Sequence, residues 1–469
     1  MTVQIPDNIF RAYDIRGIVG EGLDETIIRL IGRAVASEAL DLGEKCLVVS
    51  ADARLSSPAF SEAMIQGILS TGCNVINIGT GPTPLMYFAT HTLETHSGVM
   101  ITGSHNPKNY NGVKIVLQNN CLAADQITRL QERIQREDFH EGSGTLSRVD
   151  VKADYIKTIC RDIVLTQPHK VVIDCGNGIA ATCAPMLFAA LGCQVVPLYC
   201  EADGNFPNHH PDPTRVENLQ DLIALTISEK AALGIAFDGD GDRVVLVSKT
   251  GEIIDADKMM LTFIADIVPD NPGANIVFDV KSSQQLARMI SHYGGNPVMC
   301  KSGHSYVKQQ MQAADALLGG EYSAHIFFKH RWFGFDDGMY SAARFLELMD
   351  KNNHSADALL SACPQTYSTP ELNISVSEDE KFRIMNILLE QLTIPEACIN
   401  RLDGIRAETK HAWGLIRASN TTPSLTLRFE ADSREALQQI QSVFNAAIST
   451  LMPALDTGLP YTGKSEAIS

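Results

Sequence analysis

The sequence predicts three topologically similar α/β domains followed by a C-terminal α+β domain, and three observations carry that prediction. At 469 residues the chain exceeds what a single hydrophobic core holds, so three or four domains are expected. A strand–helix–strand pattern ending in a dense polar loop occurs three times. The last stretch of about a hundred residues abandons that pattern for short strands interleaved with two helices.

In the first repeat a helix is predicted from near Asp24, with Ile27, Ile28, Ile31 and Val35 on one face. The strand Leu47-Val48-Val49 leads into the loop Asp52-Ala53-Arg54. Ser57, Pro58 and Gly72 then supply the N-cap, first-turn and C-cap chemistry of the next helix. The second repeat has the strand Val171-Val172-Ile173, the loop Asp174 to Gly178 and a helix ending at Gly192. The third has Ile276-Val277-Phe278, the loop Asp279-Val280-Lys281 and a helix ending near Gly294. Each helix precedes a short apolar strand, at Val75-Ile76, Val195-Val196 and Val298-Met299. A further strand then stops in a polar loop: Gly98-Val99-Met100 before Thr102 to Pro107, Leu233 to Phe237 before Asp238 to Arg243, and Ala316-Leu317-Leu318 before Glu321 to His325.

Strand–helix–strand order requires crossover connections, and therefore sheets covered by helices. Boundaries are expected near Gly142 to Gly144, Lys249 to Ala256 and Pro364 to Pro370, giving domains over 1–150, 151–254, 255–367 and 368–469. In the fourth, strands are predicted at Glu371 to Val376, Gly414 to Arg417 and Leu425 to Phe429. Capping boxes at Ser377 with Glu380 and Asp432 with Glu435 should start its two helices, and the tail after Pro453 should be loose.

The net charge of −17 excludes a general nucleic-acid binder, which needs a basic surface. The eleven cysteines include no C-x-x-C pair, and most sit in apolar segments, as Cys160, Cys183 and Cys193 do. That usage implies reduced core thiols and a reducing compartment. No run of eighteen apolar residues occurs, and Met1 to Ile9 has no apolar leader segment, so a cytoplasmic protein without membrane partners is expected.

Four loops carry the chemistry. Ser104 follows a buried strand and is flanked by Gly103, His105 and Asn106, a placement that suits a nucleophile or phosphate acceptor and equally a polar turn. Asp238-Gly239-Asp240-Gly241-Asp242-Arg243 sets three carboxylates at alternate positions, an oxygen donor set for Mg²⁺ or another hard cation. A calcium EF-hand is excluded, because its sixth position would be Arg243 and its twelfth Lys249. Glu321 and Ser323 could receive adjacent sugar hydroxyls, although a buried structural glutamate is the simpler reading. Arg417-Ala418-Ser419-Asn420-Thr421-Thr422 offers a guanidinium, hydroxyls and an amide as a phosphate cradle. Lys114, Lys281 and His304 could reach a ligand. Gly176-x-Gly178-x-x-Ala181 imitates a dinucleotide fingerprint but lacks the acidic residue a ribose requires.

Together with Tyr13-Asp14-Ile15-Arg16-Gly17, these loops resemble, in order and nearly end to end, the α-D-phosphohexomutase superfamily, most closely its bacterial phosphomannomutase/phosphoglucomutase branch. The resemblance implies four domains around a central cleft, and reversible phosphoryl transfer between the 1- and 6-positions of glucose or mannose phosphates. It implies a phosphoserine at Ser104, Mg²⁺ held by Asp238, Asp240, Asp242 and a phosphoserine oxygen, and a hexose 1,6-bisphosphate as activator and intermediate. Arg16, Lys114 and His325 become the candidates for charge stabilisation and proton transfer. Tyr13, His105, Arg243, Lys281, His304 and His325 line the cleft, Glu321 and Ser323 bind the sugar, and Arg417, Ser419, Asn420 and Thr421 hold the non-reacting phosphate. A monomer acting on small hexose phosphates is expected. Thr422, where many members have Glu, and Tyr322-Ser323-Ala324, where many have Met-Ser-Gly, leave sugar preference open. Phosphoglucosamine mutase and a non-catalytic sugar-phosphate binder are the alternatives.

Overall fold

Each of the three repeats builds its sheet in the same order. In the first, Cys46–Ala51 lies between the parallel strands Asn74–Thr80 and Gly98–Ile101, and Tyr110–Leu117 returns antiparallel to the latter. In the second, Lys170–Asp174 lies between Gln194–Leu198 and Leu233–Phe237, with Val244–Ser248 antiparallel. In the third, Asn275–Asp279 lies between Asn296–Cys300 and Leu318–Gly320, with Ile326–Phe328 antiparallel. The central strands are fully buried and rich in β-branched residues, as helix-covered parallel strands must be. All three polar loops therefore occupy one topological position, the turn from the third parallel strand into its antiparallel neighbour. That is the carboxyl end of the parallel strands, where open α/β sheets bind ligands.

This computed structural model describes residues 6–11, 14–419 and 422–459; Tyr13, Asn420 and Thr421 lie outside the described residues. The fourth sheet is antiparallel, in the order Tyr367–Ser368, Ser424–Ala431, Ala412–Ala418, Ile405–Glu408, Cys398–Asn400. Helices Glu378–Gln391 and Arg434–Leu451 close its core through Leu388, Phe444 and Ile448 against Leu427 and Phe429. One continuous apolar cluster joins the first three sheets, with Phe88 of the first stacked on Trp332 of the third. The fourth meets the third through an apolar cluster of Val280, Trp413 and Leu415 and through polar contacts, Arg406 donating to the carbonyls of Val280 and Ser282 at 2.6 and 2.7 Å.

Several local expectations need correction. The helix after Arg54 spans Ser57–Leu69, so Ser56 rather than Ser57 occupies its N-cap, and it ends at the Ser70 cap before Gly72. The second repeat's helix is broken into a 3-10 turn, Ile179–Thr182, and Ala184–Ala190, because Pro185 lacks the N–H that would continue the ladder across Cys183. The capping box at Ser377 and Glu380 forms. That at Asp432 and Glu435 does not: Ser433 caps the last helix, and Asp432 pairs with His411 instead. The segment after Pro453 is tied down as far as it is described, since Thr457 donates to Asn445 and Leu459 is buried. Among the described residues all eleven cysteines are free thiols, and no helix is long and apolar enough to cross a membrane.

Candidate active site

Ser104 has a positive φ of 50° and is buried at the end of its loop. Its hydroxyl donates to Asp238 Oδ2 at 3.0 Å and lies 3.1 Å from His105 Nδ1. Beneath it a Cβ on Gly239 would stand 2.4 Å from the Ser104 carbonyl oxygen, so only glycine lets the two loops approach this closely.

Asp238, Asp240 and Asp242 are all buried, with carboxylate oxygens within 4.8 Å of one another. Burial and the two neighbouring carboxylates push Asp238 well above the usual carboxylate range, and burial and Asp240 raise Asp242. For Asp240 burial is outweighed by the Lys114 ammonium, 2.6 Å away, which holds the carboxyl below its ordinary value. Lys114 also pairs with Asp242; burial opposes its charge, but the carboxylates prevail and keep it protonated. Two buried oxygens, Oδ1 of Asp240 and Oδ1 of Asp242, accept no hydrogen bond among the described residues. Clustered, unsatisfied and all oxygen, this donor set fits a hard cation.

A cleft of about 670 Å³ opens beside Ser104 and is lined from all four sheets, including Arg16, Lys114, Arg243, Glu321, His325 and Arg417. Arg16 hydrogen-bonds Asn106 and pairs with Asp14. Arg243 Nε donates to His325 Nε2 at 2.9 Å, which leaves Nδ1 to face Asp336 Oδ2, also at 2.9 Å. His105 and His304 are kept neutral, each held well below the usual histidine range, first by burial and then by nearby cations. The Glu321 carboxylate accepts from Ser302 at 3.2 Å and lies 4.0 Å from Lys281, whose closer partner is Glu371 at 2.9 Å. Ser323 Oγ is buried and meets no hydrogen-bond partner among the described residues. Arg417 lies against Asp403, and Ser419 Oγ accepts from Thr422 N–H at 3.2 Å.

Family models for "Phosphoglucomutase/phosphomannomutase" match in succession: alpha/beta/alpha domain I over residues 7–141, domain II over 153–251, domain III over 255–367 and the C-terminal domain over 371–447. The chain belongs to the phosphoglucomutase/phosphomannomutase family. It is an enzyme of that kind. It is 52% identical to a phosphomannomutase/phosphoglucomutase of Pseudomonas aeruginosa over 97% of this chain and 98% of that protein. A phosphoglucomutase of Neisseria meningitidis is 44% identical over 95% and 98% respectively. The crystal structure of a phosphoglucomutase/phosphomannomutase family protein from Burkholderia thailandensis superposes with a TM-score of 0.92 at 43% identity, covering 97% and 99% of the two chains.

Members of this family site that sequence reasoning missed are supporting residues. The buried Arg54 guanidinium donates to the carbonyls of Ser104, Asn106, Pro107 and Tyr110, at 2.7, 2.6, 2.6 and 2.9 Å, and so grips the whole serine loop. Gly103 must be glycine, since its Cβ would stand 2.6 Å from that guanidinium. Asp52 pairs with Arg54 and accepts from Thr102 Oγ1 at 2.8 Å. Asp336, bound by Lys308 at 2.7 Å, supports His325. The signal for Asp52 was present: an aspartate ends the first strand of every repeat, at Asp52, Asp174 and Asp279.

Proposed function

We propose that this enzyme interconverts the 1- and 6-phosphates of glucose and mannose through phospho-Ser104 and a bound hexose 1,6-bisphosphate. The observation that carries the reading is the Ser104 hydroxyl, seated on the buried Asp238, Asp240 and Asp242 cluster and facing a cleft rich in cations. Beyond the phosphoserine itself, phosphoryl transfer depends on positioning and charge stabilisation. Mg²⁺ is the cation proposed for Asp238, Asp240 and Asp242, and when bound it supplies Lewis-acid stabilisation of phosphoryl oxygens. Arg16 and Arg243 offset further negative charge at the mouth of the serine loop. Arg417, Ser419, Asn420 and Thr421 grip the phosphate that is not reacting. Glu321 and Ser323 orient the sugar hydroxyls, and the unpaired Ser323 Oγ supports that role.

Of the candidate groups for proton transfer, His325 fits best. Lys114 is held as an ammonium by two carboxylates, and the Arg16 guanidinium is engaged by Asp14 and Asn106. His325 can take the proton of the attacking sugar hydroxyl on Nε2 once the Arg243 guanidinium, which donates to that nitrogen at 2.9 Å, turns to the phosphate, with Nδ1 steadied by Asp336. The bisphosphate must then turn so that its other phosphate meets Ser104, and the Arg417 loop must accept either end of the sugar. Lys281, His304 and His105 complete the wall. The protein is proposed to act as a monomer, and eleven free thiols support a cytoplasmic enzyme supplying sugar 1-phosphates for nucleotide-sugar synthesis.

Intact mass of the full chain, before and after incubation with glucose 1,6-bisphosphate and Mg²⁺, tests the reading. One added phosphate on Ser104, absent from Ser104→Ala, is expected. A folded protein that never carries phosphate there would overturn it, and turnover of glucosamine 1-phosphate alone would refute the proposed sugar preference.

A further inference from the structure

Cys175 and Cys200 lie at the carboxyl ends of the neighbouring parallel strands Lys170–Asp174 and Gln194–Leu198, and the Cys200 thiol donates to the Cys175 sulfur at 3.5 Å. Neither sulfur serves the phosphoryl-transfer site. Cys175 is fully buried, whereas Cys200 is part-exposed, so of the two residues only Cys200 borders solvent. The backbone already joins the two positions, because Cys175 N–H donates to the Leu198 carbonyl at 3.3 Å. A disulfide needs sulfurs at about 2.05 Å, so closure asks for a further approach of roughly 1.5 Å, within reach of side-chain rotation at strand ends.

We propose that Cys175 and Cys200 form a reversible dithiol–disulfide site through which hydroperoxides restrain the metal-binding loop. The order of events follows from access. Burial pushes the fully buried Cys175 thiol well up, so the thiolate forms first at the part-exposed Cys200, which is the nucleophile. Its thiolate attacks one oxygen of hydrogen peroxide and the O–O bond breaks. Cys200 sulfenic acid forms, and the displaced hydroxide takes up a proton as water. Cys175 sulfur then attacks the Cys200 sulfur, and its proton leaves with the sulfenic hydroxyl as a second water. Two electrons have passed from the sulfurs to the peroxide, and a dithiol reductant reverses the step.

The link to catalysis runs through backbone. Cys175 opens the loop that reaches Ile179, whose N–H donates to the Gly239 carbonyl at 3.0 Å, between Asp238 and Asp240. Gly239 in turn is packed under Ser104. Drawing Cys175 toward Cys200 pulls on that support, with Asn177 already bonded to the Tyr199 carbonyl at 2.9 Å.

The test treats the full chain with hydrogen peroxide, removes the excess with catalase, and compares intact mass, peptide maps after denaturing alkylation, and mutase activity. A mass loss of about 2 Da is expected, with a 175–200 cross-linked peptide and two fewer alkylated thiols than the eleven of the reduced chain. A several-fold fall in kcat that dithiothreitol restores should accompany it. Cys200→Ser should keep its activity under peroxide, and Cys175→Ser should instead accumulate a dimedone-reactive sulfenic acid at Cys200. The proposal is overturned if wild type holds that sulfenic acid without the cross-link, or if the cross-link forms and kcat is unchanged.

Discussion

The Ser104 hydroxyl and Asp238 Oδ2 meet at 3.0 Å across 134 residues of chain, joining the loop of the first sheet to that of the second. Both loops leave the carboxyl end of a third parallel strand, so one repeated connection brings Ser104 and the three aspartates together. Burial and two like charges oppose the ionisation of Asp238. Asp238→Asn keeps an oxygen for the N–H groups of Gly241 and Arg243 but removes that charge. The metal-free variant should therefore melt higher than wild type, by about 1 kcal/mol of stability. Its Mg²⁺ affinity should fall by about 100-fold or more, beyond the losses seen when only outer partners of a metal site are removed. Calorimetric titration and melting with and without Mg²⁺ check both; a variant that still gains full stability from Mg²⁺ would contradict the metal assignment.

Arg54 uses its four terminal N–H donors on four carbonyls and sets its Nε 3.2 Å from Asp52 as an ion pair, an arrangement no other side chain reproduces. Lysine has three, so Arg54→Lys must leave carbonyls of the serine loop unpaired. Stability should drop by about 1 to 3 kcal/mol for each buried carbonyl left unpaired. Because a misplaced nucleophile costs turnover more than binding, kcat should fall about 100-fold with KM little changed. Urea unfolding and steady-state kinetics at a temperature where the variant is folded measure the two effects.

The architecture was legible because periodicity and helix-cap residues are local, and because the pattern occurred three times. Ser104, the three aspartates and the two cleft loops were legible because their residue types are costly to bury without a purpose. Arg54 and Asp336 were not: an arginine in a loop reads as solvated, and only the fold shows that Arg54 is buried against four carbonyls. The comparison of repeats reaches part of the way. Asp52 accepts from Gly103 N–H at 3.3 Å and Asp279 from Tyr322 N–H at 3.1 Å, so the same strand-end aspartate steadies the polar loop in the first and third repeats. In the second, Asp174 pairs with His209 instead, and no local pattern announces the change. Misplaced caps, such as Ser433 for Asp432, reflect competition between adjacent residues able to cap, which tertiary partners decide.

Asp403 Oδ2 accepts from Ser302 N–H at 2.9 Å and from Arg417 Nε at 3.1 Å, so it ties Arg417 to the third domain. Asp403→Asn retains an acceptor for Ser302 but loses the charge that aligns Arg417. KM for the hexose phosphate should rise about 10-fold, equivalent to about 1.4 kcal/mol, with a smaller change in kcat. Equal loss in kcat and in kcat/KM would instead place Arg417 at the reacting phosphate.

His91 packs its ring 5.2 Å from that of Phe333 and 5.7 Å from that of Phe335, remote from the serine loop. Burial, aided by His96, lowers its pKa to about 4. An unfolded histidine titrates near 6.5, so as pH falls the unfolded chain takes up the proton first. Stability present above about 6.5 is therefore lost as pH falls toward 4, by at most about 3 kcal/mol for this residue. Buried, neutral His105 and His304 add in the same direction. His91→Phe keeps the ring contacts and removes the titration, so its unfolding free energy should decline less steeply than that of wild type between pH 6.5 and 4. Denaturant unfolding at half-unit pH steps measures the two slopes. Parallel slopes would mean that His91 is solvated enough to titrate normally in the folded enzyme, and that the acid sensitivity belongs to the cleft histidines.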